Sequence, residues 1–156
     1  MSTTSDPSDH TPLSSAQRFP TATAAARRDD ESAPFFDAAG RGELVVRRCA
    51  QCRHLRAPEV RGCPRCYDGA FTWSAVSGRA TLVSWAVAHE RQPDGETLTK
   101  PFALVELEEG PWITAPLVDV AIDTVAAGDA LHVRFVRLGG GEAIPSFTRE
   151  VSPAGD

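Results

Sequence analysis

The sequence lacks any apolar run approaching the roughly 20 residues of a membrane-spanning helix. A secretory leader is not apparent either, because no basic start precedes an apolar stretch of about 7–15 residues. Lysine is nearly absent: Lys100 is the one lysine, and every other basic residue is arginine. The familiar catalytic signatures are missing, among them Gly-x-Ser-x-Gly, His-Glu-x-x-His, the phosphate-binding P-loop and Gly-x-Gly-x-x-Gly. Gly139-Gly140-Gly141 follows an expected strand but opens no helix, so it reads as a flexible turn. Histidines are only four: His10, His54, His89 and His132. His89 beside Glu90 offers one place for a His–carboxylate pair, although a solvated strand end explains the pair more simply. Together these absences speak against an independent enzyme.

What is present is modest. The chain has 156 residues, of which 42% are hydrophobic and 24% charged, which suits one small domain or a domain with a module. The formal net charge of −5 opposes a dedicated nucleic-acid binder. That charge is unevenly spread. Residues 1–40 hold three Arg against six acids, residues 41–77 seven Arg against three acids, and residues 78–156 six bases against twelve acids. All four cysteines lie in the one basic stretch.

Residues 1–33 are dominated by Ser, Thr, Ala, Asp and Pro, with Leu13 and Phe19 as the large apolar side chains after Met1. Such a segment buries too little to offset its ordering entropy, so a disordered tail on a cytoplasmic protein is expected. A short helix is expected from Pro34, with Ser32 placed to cap it and Gly40 or Gly42 to end it. Its Phe35 and Phe36 must dock, because a helix this short is unstable alone. With the cysteine segment this gives a first unit over 34–70.

From Phe71 the pattern turns to strands. Phe71, Trp73 and Ala75 would share one face, as would Thr81, Val83, Trp85 and Val87. Residues 90–100 read as a polar loop around Pro93-Asp94-Gly95. Further strands are expected over 102–107, 112–118, 130–138 and 143–149, with one or two helical turns within 119–128. Leu131, Val133 and Phe135 would point inward. The fold expected is mainly β, with a five-stranded OB-type barrel over 71–149 and a frayed end over 150–156. Trp73, Trp85 and Trp112 could stack nucleic-acid bases, but filling the core of a small barrel is the commoner use.

Cys49-Ala-Gln-Cys52 and Cys63-Pro-Arg-Cys66 are two C-x-x-C pairs separated by ten residues. Two such knuckles supply four soft sulfur ligands, the donor set of a tetrahedral structural zinc, and the spacing leaves room for a minimal hairpin: a zinc ribbon. Two disulfides are the competing reading, and a rubredoxin-like iron centre is another. A four-cysteine site is closed to substrate, so its role would be structural. His54 reads as a ribbon-loop residue. Arg47, Arg48, Arg53, Arg56, Arg61 and Arg65 make the ribbon basic, suited to phosphates or to offsetting a tetrathiolate centre.

The whole series resembles a family, the acyl-CoA-associated zinc-ribbon/OB-fold proteins known as domain of unknown function 35. The resembling features are Phe35-Phe36, Gly42-Glu43-Leu44, Arg48-Cys49-x-x-Cys52, Pro58, Cys63-Pro64-x-Cys66 and Trp73. They continue with Val76-Ser77-Gly78-Arg79-Ala80, Pro101-Phe102, Val105-Glu106-Leu107-Glu108-Glu109-Gly110, Gly128-Asp129 and Pro145-Ser146-Phe147. Ala80 departs where the family usually has a second glycine, and Phe36 where tryptophan is common. The resemblance implies a rubredoxin-like ribbon and a non-catalytic accessory subunit. Its partner would be a thiolase-like enzyme, such as a lipid-transfer-type thiolase or aldolase, possibly with a MaoC-like hydratase, and acyl-CoA would be held in the complex. Steroid, fatty-acid or polyketide metabolism would be the setting. Phe35, Phe36 and Leu44 would then face the partner, with packing onto the barrel as the alternative for the two phenylalanines, and Arg79 would face ligand or serve the fold. The alternative is a nucleic-acid-binding ribbon/OB module.

Overall fold

The computed structural model describes residues 26–137 and 140–150. Most of the expected tail, the Gly139 end of the expected glycine turn and the expected frayed end from residue 151 lie outside the described residues. The elements in chain order are helix α1 (Ala33–Gly40), β1 (Leu44–Cys49), β2 (Leu55–Arg56), β3 (Phe71–Val76), β4 (Arg79–Arg91), β5 (Thr97–Leu107), β6 (Trp112–Pro116), a 3-10 turn (Ile122–Thr124), β7 (Ala130–Arg137) and β8 (Ala143–Arg149).

Helix α1 forms where the sequence places it, with Pro34 in its first turn. Gly42, at φ 80°, reverses the chain after it. Its own Ala38 and Ala39 are buried. Ser32 does not cap the helix as expected; its hydroxyl donates to the Asp29 carboxylate at 2.6 Å, and that carboxylate accepts the Ser32 N–H at 2.7 Å. The segment before Pro34 is therefore held. Arg28 bridges Asp37 at 2.5 Å and Glu142 at 2.7 Å, and the Glu142 N–H donates to the Ala26 carbonyl.

Two sheets follow. The ribbon sheet has the order β2-β1-β3 and the barrel sheet the order β6-β5-β4-β7-β8, with antiparallel neighbours throughout. A parallel bridge between Leu117 and Phe147 brings the two edges of the second sheet together. Five strands with that closure, and the 3-10 turn between the third and fourth, make an OB-type barrel. Phe147, Leu82, Leu107, Leu117, Leu131 and Val105 fill it. Leu44, Val46 and Ala57 of the ribbon join the same cluster, so the two sheets share one core.

Several expectations are corrected. β3, expected as the first barrel strand, pairs with β1 along its whole length. The face expected to carry Thr81, Val83, Trp85 and Val87 is broken by a bulge between Leu82 and Ser84, which changes the parity of β4. Ala80 and Leu82 enter the core instead. The expected polar loop is mostly strand: β4 runs to Arg91, and the turn tightens to residues 92–96, where the Gln92 N–H donates to the Glu96 carbonyl. β4 pairs with β7 only from Arg79 to Thr81 and β5 with β6 only from Phe102 to Glu106, so the hairpin end over residues 87–100 extends beyond the barrel. Trp85 is 39% exposed and Trp112 52%, so neither fills the core.

The ribbon meets the barrel at Gly78. Its φ is +82°, the Val133 N–H donates to its carbonyl at 2.8 Å, and an added Cβ would lie 2.4 Å from Val133 Cγ1. Gly78→Ala should cost about 2–4 kcal/mol, combining left-handed strain with overpacking. Urea unfolding checks this, and an unchanged midpoint would contradict it.

Candidate metal centre and adjoining clefts

The two C-x-x-C segments fold alike. In the first, the Cys49 carbonyl accepts the Arg53 N–H at 3.0 Å, and the Cys49 N–H donates to the His54 carbonyl at 2.9 Å. In the second, the Cys63 carbonyl accepts the Tyr67 N–H at 2.9 Å, and the Cys63 N–H donates to the Asp68 carbonyl at 2.9 Å. Each turn is completed by a non-glycine residue in the left-handed region, Arg53 at φ 64° and Tyr67 at φ 63°.

The turns face one another. The Sγ atoms of Cys49, Cys52, Cys63 and Cys66 all lie within 4.8 Å of each other, and Cys49–Cys66 and Cys52–Cys63 are both at 3.5 Å. A disulfide needs about 2.05 Å, so the sulfurs are unbonded thiols. A tetrahedral ion with metal–sulfur bonds of about 2.3 Å sets its ligands about 3.8 Å apart, which this cluster fits. Sulfurs this close oppose one another's ionisation. The backbone N–H of Cys52, with that of Gln51, brings Cys49 down to about 6. At Cys66 the Asp68 N–H favours the thiolate, but burial and the three neighbouring sulfurs win and push it up to about 12. Four thiolates at these distances call for a cation among them.

Two of the six ribbon arginines are structural. Arg47 and Arg56 stand opposite each other across β1 and β2, and both are buried. The Arg47 guanidinium lies 4.1 Å from the Phe71 ring centroid and 5.3 Å from that of Trp73, and pairs with Glu31 at 2.9 Å. Arg56 lies 5.6 Å from the same Phe71 centroid and donates to the carbonyls of Val60 and Arg61 at 2.8 and 2.9 Å. It thereby holds the loop between the cysteine pairs. Neither role was readable from sequence, since only the strand pairing brings these residues to one phenylalanine.

Among the described residues, two clefts lie beside the ribbon. One, of about 320 Å³, is lined by Phe35, Phe36, Leu44, Trp73, Pro58 and Ile113 among others. Phe35 packs on Trp73 at 6.0 Å and edge-on against Phe36 at 5.4 Å, while Leu44 is only 2% exposed within the core. The other cleft, of about 520 Å³, runs from Cys52 and Arg53 to Pro111 and Trp112. Arg79 lies elsewhere, exposed in a recess with Glu106, Glu108 and Glu150. His89 and Glu90 form no pair in the way the sequence allowed: Glu90 bonds Lys100, which holds its carboxyl below the usual range. Among the described residues no helix is long and apolar enough to cross a membrane.

A four-cysteine knuckle pair on a short ribbon sheet, fused through one core to an OB barrel, defines a ribbon/OB protein. Residues 36–72 match the model of the ChsH2 rubredoxin-like zinc ribbon domain, and residues 73–136 that of the ChsH2 C-terminal OB-fold domain. The chain belongs to this ChsH2/DUF35 family. A DUF35 domain-containing scaffold protein of Methanocaldococcus jannaschii is 31% identical over 98 residues, covering 61% of this chain and 69% of that protein. A probable enoyl-CoA hydratase alpha subunit of Thermomonospora curvata is 37% identical over 100 residues; the match takes 63% of this chain but spans only 31% of that protein's length. Among solved structures, a chain of an assembly described as Ltp2-ChsH2(DUF35) aldolase superposes with a TM-score of 0.68 at 28% identity, covering 81% of this chain and 99% of that one.

The left-handed residues give a stability test. Tyr67 is 87% exposed, and its ring has no ring contact among the described residues. Tyr67→Gly should therefore raise stability by about 1 kcal/mol by relieving backbone strain. A lowered urea midpoint would show that the tyrosine contributes packing that outweighs the strain.

Proposed function

We propose that this chain is a non-catalytic accessory subunit that binds a thiolase-superfamily enzyme, of the lipid-transfer-type thiolase or aldolase kind, stabilises it and helps form its acyl-CoA channel. The observation that carries this reading is the likeness to the chain of the Ltp2-ChsH2(DUF35) aldolase along almost its full length. The scaffold names of the archaeal relatives support it. The match to part of a probable enoyl-CoA hydratase subunit supports an acyl-CoA setting, in which a MaoC-like hydratase is a second partner. All four cysteines sit in the metal cluster, which leaves no spare thiol for covalent acyl chemistry. The half-exposed Phe35 and Phe36 are the proposed partner-facing residues, whereas Leu44, expected to join them, is buried in the core and supports them from beneath; Arg79 is the proposed ligand-facing one.

Co-expression with an encoded thiolase-like enzyme tests this. The two chains should purify together, and enzyme activity should fall when this chain is omitted. A partner that is fully stable and active alone would overturn the proposal.

The ion proposed for the cluster is zinc, held by Cys49, Cys52, Cys63 and Cys66, and its contribution is a cross-link rather than chemistry. Elemental analysis of reduced protein should give about one zinc per chain. Cys63→Ser should lose the metal and unfold the ribbon, since structural metal binding is coupled to folding. Iron in place of zinc, or a metal-free protein with an unchanged fold, would refute this assignment.

A further inference from the structure

We propose that this chain associates with a second copy of itself as a two-fold dimer, joined strand to strand along the open edge of β4 with Ala88 on the axis. The pairing is independent of the enzyme partner, since residues 83–91 line neither the clefts beside the ribbon nor the recess at Arg79.

Past Thr81 that edge of β4 has no described strand beside it. The direction of its backbone groups follows from three observations. The Leu82 N–H donates to the Asp129 carbonyl, away from β5. The bulge between Leu82 and Ser84 then reverses the alternation. Pro101, opposite Val87, has no N–H to give, and its carbonyl accepts the Leu117 N–H on the far side of β5. The N–H and C=O groups of Trp85, Val87, His89 and Arg91 therefore point outward, with the four side chains on one face. Residues 83–91 contain neither proline nor lysine, which commonly protect an edge.

This stretch is complementary to itself. Antiparallel pairing about Ala88 sets Trp85 opposite Arg91 of the second copy, and Val87 opposite its His89. With their two-fold equivalents these make about eight backbone hydrogen bonds. The Arg91 guanidinium, exposed and with no bond of its own among the described residues, meets an indole 39% exposed. Glu90 falls opposite Ala86 and is already paired with Lys100, so no like charges face each other. At the axis Ala88 meets Ala88 in the closer kind of antiparallel pair, with Cα atoms about 4.5 Å apart, where a methyl side chain fits. The axis sits on the hairpin end that extends beyond the barrel, which keeps the two barrels apart. A contact of seven residues from each copy is small, so the dimer is a weak one.

Sedimentation of the metal-loaded full chain over about 10–500 μM should show the apparent mass rising toward twice that of the monomer. Ala88→Cys, oxidised with diamide while metal holds the native thiols, should form a covalent dimer, because a Cα separation of about 4.5 Å lies within disulfide range. Glu90→Cys, which this register sets opposite Ala86, should cross-link about tenfold more slowly or less. Val87→Pro removes one outward N–H and leaves the β4–β5 ladder whole, so it should abolish the dimer while the urea midpoint holds. Should that variant fail to fold, Trp85→Lys takes its place and should weaken dimerisation about tenfold or more. A chain that stays monomeric at the highest concentration, as expected if residues 1–25 cover the edge themselves, would overturn the proposal. So would equal cross-linking from positions 88 and 90, or a folded Val87→Pro or Trp85→Lys variant that dimerises as the original chain does.

Discussion

Four sulfur atoms must share a space less than 5 Å across, and the ribbon is arranged around that constraint. It fixes both knuckle turns, which use the same two backbone hydrogen bonds. It also fixes the register of β1 and β3, because Cys49 pairs with Phe71 at one end and Leu44 with Val76 at the other. Five residue steps of strand span about 17 Å. The metal site and the barrel are thus the two ends of one short, stiff ladder. Leu44 and Val46 seat its lower end in the barrel core. A disturbance at either end is transmitted along hydrogen-bonded backbone rather than through a loop.

Charge is distributed to suit this arrangement. A tetrathiolate centre with a divalent ion carries a net charge of about −2, and the cysteine segment is the basic part of an acidic chain. Two of its arginines are taken inward against Phe71, where the ring and backbone carbonyls replace water as their partners. Others remain at the surface beside Trp112. One residue type therefore builds the ribbon and also equips its outer wall.

The cysteine spacing made the metal site legible, because a closed four-thiol site needs little beyond two turns of the right length. Most barrel strands were legible too, since runs of β-forming residues are set off by turns such as Asp94-Gly95 and Gly110-Pro111. Three things escaped. The ownership of β3 did: Phe71, Trp73 and Ala75 alternate equally well beside β1 or inside a barrel, and only long-range pairing decides. The parity of β4 did, because the bulge near Leu82 leaves no signature in residue type. The cleft at Trp112 did as well, since it joins residues from a knuckle and from a turn about sixty positions later. A Trp directly after Gly110-Pro111 was the available hint, because a strand's first residue seldom reaches a core.

The long hairpin has a consequence for how the chain is made. From Val83 to Arg91 one edge of β4 has no described strand beside it, and Trp85 stands on this exposed stretch. An open edge of this length, free of proline, is a template on which further strands can grow. Left uncovered, such an edge favours strand-on-strand association between copies, so the feature that lengthens the hairpin also makes this stretch the chain's aggregation hazard.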